Sequence, residues 1–169
     1  MYTLYIVTAS EVKNYVPELN AEINDSLIDN GIKMVENTIL MESLGQSLTD
    51  EIMSQKSGGT YSTANKYLVD NFLKELISYG VWQYISVTLS YQLVSSGLRI
   101  KNSDHSVTVE SKDLAYYRSF IQNYIDRVRK IMSRYIEDHK ADYPLYYNNT
   151  YNDKPYNNVY NFKVGSTSR

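Results

Sequence analysis

The chain has only two histidines, which are the first candidates for acid–base chemistry. His105 follows Asp104 in a polar stretch, where a carboxylate can orient an imidazole as a general base. Because neighbouring loop residues rarely build such a pair and no nucleophile accompanies it, we interpret His105 as a solvated loop residue. His139 stands at the end of a predicted helix, where the helix dipole favours a cation. The sequence therefore predicts no catalytic residue and no enzymatic activity.

Metal and cofactor chemistry is not indicated either. The chain has no cysteine to form disulfides or thiolate ligands, and it lacks an H-E-x-x-H motif, paired histidines and a carboxylate cluster. The segment KSGGT at residues 56–60 has two glycines but not the G-K-[ST] order of a phosphate-binding loop. We expect a flexible connection there, no metal site and no cofactor.

Opposite charges dominate the two ends of the chain, although the formal net charge is only −2. Residues 1–60 have nine acids and three bases, and residues 61–169 have ten acids and fourteen bases. Complementary patches favour head-to-tail contact between copies, and chance scatter over solvated faces is the alternative. A dedicated nucleic-acid binder would be basic. The longest apolar runs are far shorter than the ~20 residues that span a bilayer, so no membrane segment is expected.

Apolar periodicity predicts a mainly α protein, a helical bundle with a small β-hairpin or loop excursion and a long extended C-terminal tail. Ser10 suits the N-cap of a short first helix, and Pro17 requires that helix to end early. A second helix is expected over residues 25–41. Its apolar stripe continues past Gly45, which suits a junction between helices.

Residues 63–95 also show helical periodicity, with Gly80 at a kink or break and Gly97 as the terminating glycine. Short alternating runs at residues 98–100 and 107–109 flank the polar sequence NSDHS. They predict a hairpin or a loop that projects between two long helices, as functional loops on a rigid scaffold often do. The polar candidates on this excursion are Arg99, Lys101, Asn102, Asp104 and His105.

The clearest predicted element is the last helix, which Ser111 caps and which runs to about Lys140. Apolar and tyrosine residues recur along it at alternating spacings of 3 and 4, which predicts a buried seam against the bundle or a partner helix. The seam consists of Leu114, Tyr117, Ile121, Tyr124, Val128, Ile131 and Tyr135. The bases Arg118, Arg127, Arg129, Lys130 and Arg134 line the other faces, and a solvated or interface face is favoured over a DNA-facing stripe.

The last stretch, residues 141–169, is rich in tyrosine and asparagine and shows no helical or strand period. Asparagine and proline favour turns and extended backbone, while each tyrosine is a rigid anchor for a surface. We therefore expect a helical domain at residues 1–140 and an extended interaction tail on a neighbouring chain, with packing on its own domain or fraying as alternatives. The expected docking residues are Tyr143, Pro144, Tyr146, Tyr147, Tyr151, Tyr156, Tyr160 and Phe162.

Several segments together resemble one protein family. In chain order they are TASEVKNYV, the leucine–glycine turn in MESLGQSLTDEI, the tryptophan-bearing ISYGVWQYI, the loop SGLRIKNSDHSVTVES and the helix end YIEDHKADYPLY. This order over residues 8–147 resembles the head-to-tail connector (adaptor) proteins of tailed bacteriophages, in particular those of crAss-like phages. The sequence beyond Tyr147 has no counterpart in the resemblance.

The resemblance implies a helical protomer that assembles as a homo-oligomeric ring, commonly twelvefold, beneath the portal protein. The ring would lie in the virion neck, between capsid and tail, after assembly in the cytoplasm of the bacterial host. It would extend the channel through which double-stranded DNA passes without sequence specificity, and it would dock another neck or tail ring protein. The excursion at residues 97–110 would then face the channel or an adjacent ring.

Three other functions stay open from the sequence. The first is a different neck component, such as a stopper or tail-completion protein, which position in the virion would separate from an adaptor. The second is a small helical nucleic-acid-binding regulator, which a salt-dependent gel shift would indicate. The third is a small enzyme or its accessory subunit, which an ordered polar pocket would indicate.

Overall fold

The computed structural model describes residues 5–17, 19, 23–94, 97–100 and 111–148. This part of the chain is mainly helical, as predicted, and a π-helical turn, Val69–Leu73, joins the fourth helix to the fifth. The described helices are α1 (Ala9–Tyr15), α2 (Asp25–Leu44), α3 (Gln46–Ser57), α4 (Thr63–Leu68), α5 (Lys74–Ser90), α6 (Ser111–Asp138) and α7 (Pro144–Tyr147).

The first helix begins with a capping box. The Thr8 side chain accepts a hydrogen bond from the Glu11 backbone N–H, and the Glu11 carboxylate accepts one from the Thr8 backbone N–H. The prediction that Ser10 is the N-cap is therefore wrong, because the reciprocal pair starts the helix earlier. The helix ends at Tyr15, ahead of Pro17, as predicted.

Two glycines that the sequence singled out have different roles. Gly45 separates α2 from α3 with a φ of 74°, which glycine adopts without steric cost, so the predicted junction is confirmed. Gly80 lies inside the continuous helix α5, where an added Cβ would overlap Ile39 and lie 2.6 Å from Val35 Cγ1. The prediction of a kink or break at Gly80 is wrong, because its missing side chain instead allows α2 to pack closely on α5.

The hydrophobic core forms around α5, which packs against α1, α2 and α6. Among the described helices, none combines the length and apolar content needed to cross a membrane. The apolar face that periodicity predicts for α2 is buried against this centre. Fully buried side chains of the core include Ile28, Ile32, Leu40, Leu44, Leu48, Ile52, Leu68, Leu73, Leu76 and Ile77.

The chain leaves helical geometry earlier than the periodicity indicates. The pattern predicts a helix to Ser95, but α5 ends at Ser90. The following residues form β1, Tyr91–Val94, which pairs antiparallel with β2, Gly97–Ile100. Tyrosine and valine favour strands and a two-residue connection suits a hairpin, so local strand pairing replaces the expected last helical turn.

The excursion between α5 and α6 therefore differs from its prediction. The expected pairing of residues 98–100 with residues 107–109 is not supported, because β2 pairs with β1 instead. Gly97 accordingly begins β2 and does not end a helix. Of the candidate loop residues, Arg99 lies on β2. The others lie outside the described residues, and they are Lys101, Asn102, Asp104 and His105.

The buried stripe of α6 is rotated from the predicted seam. It follows spacings of 4, 3, 4 and 4, and its members are Ile121, Ile125, Val128, Met132 and Ile136. Burial of Ile121 and Val128 is as predicted. The prediction is wrong at Ile131, which is 48% exposed, because a strict seven-residue repeat drifts off the 3.6-residue turn of a straight helix. Met132 takes the buried place.

The seam tyrosines border this stripe and contact aromatic rings of the preceding helices, edge-on at Tyr117, tilted at Tyr124 and stacked at Tyr135. Their ring pairs, with centroid distances, are Tyr117–Trp82 at 5.0 Å, Tyr124–Tyr79 at 4.4 Å and Tyr135–Tyr67 at 4.6 Å. Tyr117 remains 37% exposed. Tyr124 also donates a hydrogen bond to the Glu75 carboxylate, which raises the pKa of Tyr124. The side chain of Leu114 lies outside the described part.

The beginning of the predicted tail belongs to the helical core. Tyr143 is 1% exposed, and its hydroxyl donates to the Ala64 carbonyl at 2.8 Å. Tyr146 is also buried, and α7 packs against α3. The prediction that these two tyrosines lie extended on another chain is wrong, because Pro144 begins a helical turn that places both against their own bundle. The helical domain thus continues to Tyr147, past the predicted boundary at residue 140.

A buried acid fixes the N-terminal segment to α2. Glu36 is 1% exposed, and its carboxylate accepts a hydrogen bond from the Ile6 backbone N–H. Burial raises the pKa of Glu36 from 4.5 to about 7, although the Ile6 hydrogen bond and the charge of Lys56 oppose the rise. The group therefore exchanges a proton near neutral pH while it holds the segment before α1 in place.

Candidate interaction surface on the last long helix

Exposed aromatic and basic side chains lie together on the solvent side of α6. Tyr116 is 77% exposed and Phe120 is 57% exposed, which is unusual for large apolar rings on a helix with a well-buried opposite face. Basic residues continue the row toward the helix C-terminus. We define the α6 outer face as Tyr116, Phe120, Arg127, Lys130, Ile131 and Arg134, all of which are exposed.

The helical period places these side chains on one surface. Tyr116 and Phe120 are four residues apart, and Arg127, Lys130 and Arg134 follow at spacings of seven, three and four. The buried stripe faces the other way, toward α5. From Tyr116 to Arg134 the surface extends about 27 Å at 1.5 Å per residue. It is therefore a long, narrow strip, aromatic at its start and basic toward its end.

The five bases predicted to line the other faces of this helix have different surroundings. Arg129 donates to the Glu42 carboxylate at 2.7 Å and so joins α6 to α2. Within the described residues, no ion pair engages Arg127, Lys130 or Arg134. Arg118 is half-buried. Three cationic groups on the outer face therefore remain directed to solvent, where they can meet an external carboxylate or phosphate.

Exposed acids outnumber exposed bases on α2 and α3. They share positions on α2 and α3 that point away from the core, and they are Asp25, Asp29, Glu42 and Asp50. Lys13 forms an ion pair with Asp25 at 2.6 Å, and Arg129 forms one with Glu42. Acids thus predominate among the exposed charged residues of α2–α3, where Lys33 is the exposed base. Bases predominate on the α6 outer face, while the exposed acids among the described side chains of α6 are Asp126, Glu137 and Asp138.

The chemistry of the α6 outer face is that of a recognition surface. Aromatic and arginine side chains are the residue types that most often anchor protein interfaces, because they cover large areas and make directional contacts. The bases can bind carboxylates, and the exposed rings can pack on apolar surface or receive a cation. Among the described residues, no cluster of histidine and carboxylate side chains has the geometry of a metal site.

The prediction of functional residues was incomplete at this surface. Tyr116 and Phe120 are not members of the predicted seam. They form an aromatic pair on the otherwise polar side of an amphipathic helix, and this pattern in the sequence indicates an interaction surface. The predicted tail surface is described only to Tyr147, which is 45% exposed. The remaining docking candidates lie outside the described residues, and they are Tyr151, Tyr156, Tyr160 and Phe162.

Comparison with known proteins gives a family. Its model matches residues 40–156, which is more than half of the chain. The chain belongs to DUF6712, a family of unknown function. The DUF6712 match begins within α2 and includes α3 to α7, so the α6 outer face lies wholly inside it. No curated protein and no solved structure matches the chain.

Proposed function

We propose that this protein is a structural head-to-tail connector (adaptor) of a tailed phage. It forms a ring below the portal protein, extends the DNA channel and docks the next neck or tail component. The observation that carries the proposal is the α6 outer face, a solvent-exposed strip of aromatic and basic residues on a helix whose other side is fully packed. The resemblance of residues 8–147 to connector proteins supports the same function.

A ring requires two different surfaces on each protomer. Its contacts are heterologous, so one surface of each copy meets a second, complementary surface of the next copy. The α6 outer face supplies aromatic anchors and three bases, and the exposed side of α2–α3 supplies acids such as Asp29 and Asp50. Opposite charges on the two surfaces favour the head-to-tail orientation and disfavour contact between identical faces.

The test measures assembly of the full-length protein on portal rings from the same phage. Lys130→Glu reverses one charge on the α6 outer face, and Lys66→Glu makes the same change at an exposed position of α4 away from it. We expect Lys130→Glu to weaken assembly about 5–30-fold, which corresponds to about 1–2 kcal/mol of interface free energy. The Lys66→Glu control should assemble normally. If Lys130→Glu assembles on portal rings as well as Lys66→Glu, the α6 outer face is not part of the interface.

The basic end of the α6 outer face supports a second candidate, a small helical nucleic-acid-binding regulator. Arg127, Lys130 and Arg134 are spaced to meet phosphates along one face of the helix. A regulator should bind duplex DNA with an affinity that falls steeply with salt, and each lost base should reduce the slope by about one. A connector should instead join portal rings and bind DNA without sequence preference. A stopper or tail-completion protein would be found at another level of the neck.

A further inference from the structure

A groove between α2, α5 and α6 forms a second surface, separate from the α6 outer face. Both α2 and α6 pack along α5, and the Arg129–Glu42 ion pair joins them across the groove. Its apolar floor includes Ile39, Gly80 and Ile125. The groove has a volume of about 580 Å³, which is in the range of sites that bind small molecules or large side chains.

Exposed apolar side chains and an amide wall border this groove. Met34 is 59% exposed on the α2 side, and Val87 is 38% exposed on the α5 side. Between α5 and α6, Gln83 donates to Gln122 at 3.1 Å, and Gln122 donates to Asp126 at 2.9 Å. Each side-chain amide has two donors and a carbonyl acceptor, so this wall retains hydrogen-bonding capacity for an extended backbone or for other amides.

We propose that this groove binds the C-terminal segment of the protein, residues 149–169. The segment contains four aromatic residues, Tyr151, Tyr156, Tyr160 and Phe162, among five asparagines. Aromatic rings match the apolar floor, and asparagine amides match the Gln83–Gln122 wall. The segment has three bases and one acid. Glu42 of the groove is already paired with Arg129, but Asp126, which accepts a hydrogen bond from the lining residue Gln122, has no ion-pair partner among the described residues and is available to a base of the segment. The occupant is thus defined by composition and by charge.

The length of the segment is sufficient for this contact. Tyr143, which precedes the segment, is hydrogen-bonded to Ala64 on α4. Tyr84, which lines the groove, lies twenty residues after Ala64 along the continuous helical stretch of α4, the π-helical turn and α5. At 1.5 Å per residue this separation is about 30 Å. Twenty-one extended residues reach about 70 Å. The segment can therefore enter the groove of its own chain or that of an adjoining copy, and the proposal does not depend on ring assembly.

The experiment places a photoreactive benzoylphenylalanine at Tyr156 of the full-length protein. After irradiation, mass spectrometry of peptides locates the crosslinks. Crosslinks to residues 34–42 or 80–88 are expected. Mixing isotopically light and heavy protein reports whether the segment lies on its own copy or on a second one, and either result supports the proposal. Crosslinks confined to other surfaces would overturn it.

A matched pair of variants on α2 tests the groove itself. Thr38 lines the groove and Asn37 does not, although both are exposed neighbours on one helix. Thr38→Arg narrows the groove and should lower crosslinking about tenfold, whereas Asn37→Arg adds the same charge outside and should leave it unchanged. Val87→Arg blocks the groove from α5 and should repeat the loss. Unchanged crosslinking in both groove variants, with wild-type melting temperatures, would contradict the proposal.

Discussion

Tyr143 provides a direct test of where the helical domain ends. The ring of Tyr143 is buried, and its centre lies 6.2 Å from that of Tyr135. The Tyr143 hydroxyl donates a hydrogen bond to the Ala64 carbonyl. Tyr143→Ala removes a fully buried aromatic side chain, which should cost about 3–5 kcal/mol. For a chain of this size each kcal/mol lowers the melting temperature by about 2–4 °C, so a fall of about 6–20 °C is expected. Tyr143→Phe keeps the ring and loses one hydrogen bond, at about 0.5–1.5 kcal/mol.

Thermal unfolding of the full-length protein, followed by far-ultraviolet circular dichroism, measures these differences. Tyr147→Ala is the control, because Tyr147 lies in the same helical turn but is 45% exposed and mainly contacts Tyr146 and Lys140. It should cost less than about 1 kcal/mol. If Tyr143→Ala melts like the wild type, residues 143–147 do not pack on the bundle and the domain ends earlier. The packing described above is supported if Tyr143→Ala lowers the melting temperature most, Tyr143→Phe less and Tyr147→Ala least.

Three further changes test the core. Glu36→Gln should match the stability of the wild type near pH 4.5 and exceed it above pH 7 by up to about 3 kcal/mol. The reason is that a folded-state pKa of about 7, raised from 4.5, makes the wild type lose stability as the pH rises between these two values. Urea unfolding at both pH values measures the difference, and parallel pH profiles of the two proteins would contradict the prediction. Gly80→Ala should cost about 1–3 kcal/mol by pushing α2 from α5, whereas Gly58→Ala, which meets only ordinary contacts, should be near neutral in the same assay. Met132→Ala should lower the free energy of unfolding by about 2–5 kcal/mol and Ile131→Ala by less than about 1 kcal/mol, because only Met132 is buried. Equal losses of melting temperature in thermal scans would contradict the burial of Met132 in place of Ile131.

Local rules of the backbone were sufficient for several parts of the fold. Pro17 ends α1 because the residue before a proline avoids helical geometry, and Gly45 marks the junction of α2 and α3 because it has a positive φ. These effects depend on one or two residues and not on tertiary contacts. The helical class and the buried face of α2 followed instead from apolar periodicity, which repeats over many residues.

Tertiary contacts decided the features that the sequence reasoning missed. On α6, two stripes one residue apart contain apolar residues, and packing against α5 selected Met132 in place of Ile131. The polar and aromatic neighbours of Tyr143 predict an extended tail, yet a helical turn from Pro144 brings Tyr143 to α4. Composition alone does not indicate which surface an aromatic residue finds.

Two informative signals were present in the sequence but not used. Glu36 lies four residues after Ile32 and four before Leu40, so it occupies the apolar stripe of α2, where a buried acid needs a partner such as the Ile6 N–H. Phe120 lies on the polar side of α6, where a large apolar residue indicates an interface. Residues that contradict the amphipathic pattern thus indicate a buried acid with a backbone partner and an exposed aromatic surface.

The central claim is that the protein assembles as a ring through the α6 outer face. Native mass spectrometry of the full-length protein, alone and mixed with purified portal rings of the same phage, tests it most directly. We expect a discrete complex in which a fixed number of copies, matched to the portal symmetry, is added to each ring. Phe120→Glu should abolish the mass of this complex while leaving the protein folded. A protein that stays monomeric in both samples, or a complex that Phe120→Glu leaves intact, would contradict it.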